Sequence, residues 1–219
     1  MKSVILPILF LLRHTALVAS FSTPTPSATS NPLQTFLDSL FPSSKNDESI
    51  TQRLQTKQRL LTTCRQNIGQ STPSIRQDIE SIISDLQPLN PTPTSASSPL
   101  LQKRWILEWT SEKEINFFLQ NGFSTHITQT LTNMDVLEND IPFVKGGRFA
   151  VSGTIAVDDE KELRTNFKFR NANLDVGKWG NYNFPPVGEG WFDTVYLDED
   201  LRVDVNSRDD ILICTADNQ

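Results

Sequence analysis

Hydrophobic and polar positions change rhythm twice along this chain. From Asp47 to Gly69 apolar residues recur at helical intervals, with Ile50, Leu54, Leu61 and Ile68 separated by Gln, Thr, Lys and Arg. A second helical stripe follows in Ile75, Ile79, Ile82, Ile83 and Leu86, opened by Thr72 as a cap and Pro73 in the first turn, and closed by Pro88, Pro91 and Pro93. Both stripes are expected to pack on the rest of the domain, with "PLNPTPTSASSP" as a linker or surface loop. After Leu100 the period falls from 3.6 to 2. Trp105, Leu107 and Trp109 alternate with Ile106, Glu108 and Thr110, and "RFAVSGTIAV" puts Phe149, Val151, Ile155 and Val157 on one face. In "LRTNFKFR", Leu163, Phe167 and Phe169 oppose Arg164, Asn166, Lys168 and Arg170, a strand with one dry and one wet face.

Turn signals at Gly146-Gly147, Asp158-Asp159-Glu160 and "KWGNYNFPPVGEG" separate these runs, which number about eight between Trp105 and Cys214. No segment between them is long enough for a helical crossover, so the strands pair antiparallel. Eight such strands close most naturally into a barrel, which removes the exposed edges and leaves an interior about wide enough for one small apolar ligand. The fold class is therefore mostly β: an antiparallel barrel of about eight strands preceded by two α-helices.

"GEGWFDTVYLDEDLRVDV" concentrates acidic residues between Asp198 and Asp204. Trp191, Asp193, Val195 and Leu197 alternate on one side of this run, and Leu201, Val203 and Val205 on the other, which places Asp198-Glu199-Asp200 at a hairpin turn. A calcium loop would need Gly at its sixth position and Glu at its twelfth, and neither is present, so a solvated turn is expected and no metal site.

The N-terminus has a different texture. "MKSVILPILFLLRHTALVAS" has a basic start, an apolar run from Val4 to Leu12 too short to span a bilayer, and a small-residue end, the pattern of a signal peptide over 1–20. The next segment, 21–45, is rich in Ser, Thr and Pro with no acidic residue before Asp38, and cannot bury enough apolar surface to fold alone. The "VAS-FSTP" junction, with Phe21 after the presumed cut, resembles the bipartite presequence of algae with complex plastids, which implies a transit peptide here. The folded domain is then 46–219, with a helical pair at 46–88 and the barrel at 100–216.

Charge narrows the partners. The chain of 219 residues carries a net charge of −6. Without Lys2 and Arg13 of the leader, 18 basic residues face 26 acidic ones, a net −8. A pI near 5.0 argues against nucleic acid and strongly anionic membranes. Cys64 and Cys214 are the two cysteines, too few for a disulfide scaffold and without Cys-x-x-Cys spacing for zinc or redox work; two buried thiols are expected.

Residues for catalysis are sparse. Beyond the leader His126 is the lone histidine, and there is no Gly-x-Ser-x-Gly elbow, phosphate-cradling glycine loop or metal-spaced histidine pair. His126 is expected at the surface. Asp193 shares the face of Trp191 and Val195 by alternation; inside a barrel its carboxyl would be raised and could act as acid or base, while near the mouth it would pair with Arg or Lys. No catalytic residue and no cofactor is assigned.

The last block resembles the plastid lipid-associated protein family, the fibrillins or plastoglobulins, whose pattern is an aromatic strand, Tyr-Leu-Asp, an acidic turn, Leu-Arg and a final strand. In "GWFDTVYLDEDLRVDVNSRDDILICT" the matching positions are Gly190, Trp191, Asp193, Tyr196, Leu197, Asp198, Leu201 and Arg202. "LLQKRWILEWTSEKE" looks like the family's first strand, with Lys103 where a Gly is usual, and "RVDVNSRDD" replaces the common Arg-Gly pair, the marks of a divergent member. The resemblance implies a lipocalin-like barrel in the plastid, at thylakoids or lipid droplets, that binds hydrophobic molecules.

Binding needs few special residues. At about 0.8 kcal/mol per buried CH₂, an acyl chain of about sixteen carbons has an upper limit near 12 kcal/mol, from which association and ordering remove several kcal/mol. Candidate lining residues are Trp105, Leu107, Trp109, Phe149, Val151, Phe167, Phe169 and Val195, with Asp193 as an interior polar group. The candidate partner is a lipid, quinone or carotenoid-like molecule, and membrane or lipid-droplet contact would run through loop aromatics such as Phe117, Phe118, Phe123 and Phe184, since Arg164, Lys168 and Arg170 make a weak basic anchor. The alternatives are an enzyme on the same barrel acting on a prenyl lipid or oxylipin, and a structural coat protein whose barrel is filled.

Overall fold

A computed structural model describes residues 45–185 and 188–218, with side chains from residue 47 onward; the targeting segments expected at 1–20 and 21–45 lie outside the described residues, apart from Lys45. Two helices come first, α1 (Lys45–Gln66) and α2 (Pro73–Leu86). Nine strands follow: β1 (Arg104–Thr110), β2 (Thr128–Thr132), β3 (Val136–Pro142), β4 (Arg148–Val157), β5 (Arg164–Asp175), β6 (Asn181–Phe184), β7 (Glu189–Leu197), β8 (Leu201–Asn206) and β9 (Ile211–Ala216). A third helix, α3 (Lys113–Gln120), lies between β1 and β2.

All pairings are antiparallel. Eight strands form an up-and-down ring in the order β1-β2-β3-β4-β5-β7-β8-β9, and β9 returns to β1 through Trp105 opposite Ala216 and Leu107 opposite Cys214. The sheet is thus closed and barrel-like, and neither β1 nor β9 is left as an edge. The ninth strand, β6, is a short addition: β5 pairs β7 along Arg164–Lys168 and then β6 along Ala172–Asp175. Gly153 sits opposite the irregular step in β5, where a Cβ would collide with the backbone of Lys168 and Phe169, so the ring can tighten there only around a glycine.

Two apolar cores result. One lies inside the ring and contains Trp105, Leu131, Leu137, Ile155, Phe192 and Leu197. The other lies between α1, α2 and the outer face of β7–β9 and the end of β1, where Leu60, Cys64, Ile79, Ile82, Ile83 and Leu86 meet Trp109, Tyr196, Leu201, Val203 and Ile213. Strands β8 and β9 are therefore covered on both sides, which accounts for the near-continuous burial of Leu201 to Asp204.

Helix α2 follows its sequence pattern: Thr72 Oγ1 accepts from the Ile75 N–H, Pro73 opens the first turn, and Ile79, Ile82, Ile83 and Leu86 are buried. Helix α1 does not. Ile50, Leu54 and Ile68 are exposed, and the inward face is Thr56, Lys57, Leu60 and Cys64. The reason is electrostatic. Lys57 Nζ reaches the β7–β8 turn, 2.6 Å from Asp198 and also against Asp200, so a charged residue belongs to the buried stripe. Arg65 grips Glu108 of β1 through two hydrogen bonds of 2.9 Å. Arg76 of α2 holds Asp209 in the β8–β9 turn.

Two bulges decide which side chains enter the ring. In β1 the register shifts between Leu107 and Trp109, and in β7 between Thr194 and Tyr196. Each extra residue turns the following side chain to the opposite face. The β7 bulge is held by Asn90, whose amide donates to Val195 O and accepts from Leu197 N at 3.1 Å, so the Pro-rich linker is fastened to the sheet.

Candidate functional site

The ring is not solid. A cavity of about 310 Å³ occupies its interior, walled by Leu107 of β1, Leu137 and Ile141 of β3, Phe167 and Phe169 of β5, Phe192 of β7, and Leu212 and Cys214 of β9. One end is bordered by the exposed residues Gly188, Glu189, Ser207 and Arg208, with Glu112 and Ile115 from the α3 side. Beyond the cavity the ring is packed by Leu101, Trp105, Leu131, Leu197 and Ala216. This volume is roughly twice the ~150 Å³ apolar cavity known to take up benzene, and stands at the low end of the ~300–1,000 Å³ range of ligand pockets. It suits a ring-sized group or part of an acyl chain, with any remainder leaving through the open end.

The aromatic wall is built by β5 and β7. Phe167 and Phe169 rings lie 5.0 Å apart, and Phe167 is 6.4 Å from Phe192. Gly190 makes this possible, because a Cβ there would press 3.1 Å from the Phe167 ring. From α3, Phe118 stacks on Phe143 and Phe149 at centroid distances of 6.0 and 6.1 Å. Phe117 and Phe123 remain exposed beside it with rings 5.7 Å apart, and Val144, also exposed, donates its backbone N–H to Phe123 O. Phe117 and Phe118, expected in a loop, belong to α3; their helix follows β1 directly and is short.

A chain of polar side chains crosses the ring. Thr194 Oγ1 donates to Asp204 Oδ1 at 2.8 Å; Arg202 Nε stands 3.1 Å from Asp204 Oδ2; an Arg202 amino group donates to Gln129 Oε1; and Gln129 Nε2 donates to Asn139 Oδ1 at 2.8 Å. The Arg202 guanidinium also lies over the Trp105 ring, 5.2 Å from its centroid. Arg202 and Asp204 are essentially solvent-free, and Asp204, Gln129 and Asn139 border the cavity. Burial pushes the Asp204 carboxyl upward, opposed by Arg202 and by the Thr194 hydrogen bond. At the open end, burial raises Glu112 to about 7 against the pull of Arg208. Burial raises both thiols to about 12; Cys64 lies in the helix-side core and Cys214 in the ring, and both are free.

Of the sequence-derived lining residues, Leu107, Phe167 and Phe169 border the cavity. Trp105 lies deeper, its indole N–H donating to Leu101 O at 3.0 Å. Phe149 and Val151 pair with Ile141 and Asn139 and share their face, without bordering the cavity. Trp109 and Val195 are corrections: beyond the β1 bulge Trp109 faces α1 and α2 and donates to Gln70 O, and Val195, the extra residue in β7, packs against the same helix-side core. Asp193 is a third. It points out of the ring into a two-pronged pair with Arg164, both contacts 2.8 Å, while the guanidinium stacks 3.5 Å from the Trp191 ring. Thr194 and Phe192 take the interior positions on β7.

The acidic run divides in the same way. Asp198 Oδ1 accepts from the N–H groups of Asp200 and Leu201, and Tyr196 donates its hydroxyl to Asp198 Oδ2 at 2.5 Å, so the turn is anchored to Lys57 and Tyr196. Asp204 belongs to the ring interior instead. His126 is exposed. Arg164 and Lys168 of the outer basic face are engaged by Asp193 and by Glu189, the latter at 2.8 Å. Arg202 and Asp204 were visible as a charged i, i+2 pair amid Leu201, Val203 and Val205; the signal for their burial is that apolar residues fill the other face of the same strand. Nothing in the sequence singles out Gln129 or Asn139.

The PAP_fibrillin family model matches residues 54–215. A curated relative, "Probable plastid-lipid-associated protein 11, chloroplastic" from Arabidopsis thaliana, is 33% identical over 150 residues, covering 66% of this chain and 69% of the relative. No solved structure matches the chain significantly.

Proposed function

The chain belongs to the PAP_fibrillin family of plastid-lipid-associated proteins, and on that premise we propose that it is a non-catalytic plastid protein that holds a small hydrophobic molecule in its ring while resting on a lipid surface. The observation that carries the proposal is the interior cavity of about 310 Å³ with its Leu, Ile and Phe walls, where a purely structural coat would have a filled core. The guest is a lipid, quinone or carotenoid-like molecule of which a ring or chain segment enters. A whole long carotenoid exceeds the volume. Phe117 of α3, Phe123 just beyond it and Val144 of the β3–β4 turn supply the contact with the thylakoid or lipid-droplet surface, and α3 also carries the cavity residue Ile115. Submerging an exposed Phe side chain contributes about 1.5–3 kcal/mol, so the pair acts without a basic patch.

Native mass spectrometry of the protein after incubation with plastid lipid extract tests the cavity reading. One small apolar adduct per chain is the expected result; a clean unliganded mass overturns it. A second reading, catalysis on the guest, is favoured by one observation, the buried Asp204 carboxylate at the cavity wall with Thr194 and Arg202 beside it. It requires the recovered adduct to differ in mass from the molecule supplied.

A further inference from the structure

The polar chain inside the ring fixes its own orientation. Arg202 has donors and no acceptor, so the amide it faces must present oxygen. That forces Gln129 to turn Oε1 toward Arg202 and Nε2 toward Asn139, and Asn139 must answer with Oδ1. The alternative amide assignments would set N–H against N–H at one of these contacts. What remains at the end of the chain is the Nδ2 of Asn139, a residue that borders the cavity; this Nδ2 donates to no acceptor among the described residues. Arg202 itself does not border the cavity, and its Nη1 is buried without a hydrogen-bond partner.

The charges around the cavity point the same way. Its boundary carries three carboxylates, each already held by a cation: Glu189 by Lys168, Asp204 by Arg202, and Glu112 by Arg208, the one cation among the lining residues. The Arg202 charge behind it is already balanced by Asp204. An anionic guest would find no free cation in this wall to balance it, whereas a neutral oxygen would find a ready donor.

Resting on the cavity reading above, we propose that Asn139 anchors the guest by an acceptor oxygen, so that the ring selects a neutral apolar molecule bearing a carbonyl-type oxygen, such as a ketone, quinone or ester, over a plain hydrocarbon and over a free carboxylate. The walls of Phe167, Phe169 and Phe192 hold the apolar body, and the amide fixes its depth and direction.

The test uses the full chain and the displacement of N-phenylnaphthylamine, a neutral fluorescent probe of apolar cavities. Methyl decyl ketone and laurate, both of twelve carbons, compete for it. The ketone is expected to bind more tightly than laurate at pH 8, and Asn139→Leu to weaken the ketone about three- to tenfold relative to the probe, as loss of one neutral hydrogen bond implies. Asn139→Asp keeps an acceptor for Gln129 but removes the donor, and serves if the Leu variant does not fold; it must weaken the ketone at least as much. Laurate binding as tightly as the ketone, or variants that leave ketone affinity intact, overturn the inference while the cavity reading stands. Failure of the probe and both competitors to enter the wild-type chain overturns the two together.

Discussion

Replacing Arg202 by Met removes the cation that balances Asp204 inside the ring. Both groups are essentially free of solvent and stand 3.1 Å apart. At an effective dielectric near 20, two unit charges at that distance attract by about 5 kcal/mol. Desolvation of the two ions offsets most of this, so the intact pair contributes little net stability, whereas breaking it strands a buried charge at a cost of about 3–5 kcal/mol. Arg202→Met also gives up the Gln129 hydrogen bond and the stacking on Trp105. Urea unfolding near pH 7 should therefore show Arg202→Met destabilised by about 3–5 kcal/mol, and Arg202→Met/Asp204→Leu within about 2 kcal/mol of wild type. The sign of the pH dependence follows. The Asp204 carboxyl is raised in the folded state by burial, against the pull of Arg202, and loses that pull in the variant. A carboxyl raised on folding adds stability that is fully present below its unfolded value and is lost as pH climbs through its folded value. The penalty of Arg202→Met must therefore shrink toward pH 4 and grow as pH rises. A single-variant cost under about 1 kcal/mol, or a double variant as unstable as the two singles summed, refutes the reasoning.

Other consequences are direct. At Asp198, burial would raise the carboxyl, but hydrogen bonding with Asp200, Lys57 and Tyr196 outweighs it and brings it down to about 2; Asp198→Asn should cost about 1–2.5 kcal/mol at neutral pH, and the difference from wild type should vanish as pH falls from 4 through 2 in acid-unfolding curves. Glu112, raised to about 7, should make the wild type lose about 1–3 kcal/mol as pH climbs from 4.5 through 7, and Glu112→Gln should flatten that slope in urea titrations. Cys64 and Cys214 should resist a thiol reagent at pH 8 until denaturant is added; rapid native-state labelling of either would place it outside the buried cores. Phe117→Ser/Phe123→Ser should lower co-flotation with liposomes of plastid lipid composition while leaving N-phenylnaphthylamine binding intact; unchanged flotation would move the lipid contact elsewhere.

Much of the architecture is legible in the sequence because it rests on local rules. Thr72-Pro73 and the Ile stripe give α2, alternation gives the strands, and turn residues locate the hairpins, including the one at Asp198. Antiparallel pairing of so many strands leads to closure. What alternation cannot give is which face turns inward once both are covered, as on β8 and β9. Nor does it foresee a bulge. One extra residue each in β1 and β7 moves Trp109 and Val195 to the helices and leaves Asp193 outside. Helix α1 misleads for another reason, since the buried Lys57 is chosen by carboxylates 141 and 143 residues away. The cavity's amides, Gln129 and Asn139, gain their meaning only from Arg202 on a strand across the ring.

The most direct test of the central claim is to fill the ring and ask whether the guest is lost. Leu107→Trp/Leu212→Trp puts bulk into two walls of the cavity and leaves the α3 surface and the turns untouched. Native mass spectrometry of this variant and of wild type, each exposed to the same plastid lipid extract, reads the answer in one comparison. A single small adduct on wild type that disappears from the folded double variant is the predicted result; an adduct that persists undiminished on the filled ring contradicts interior binding.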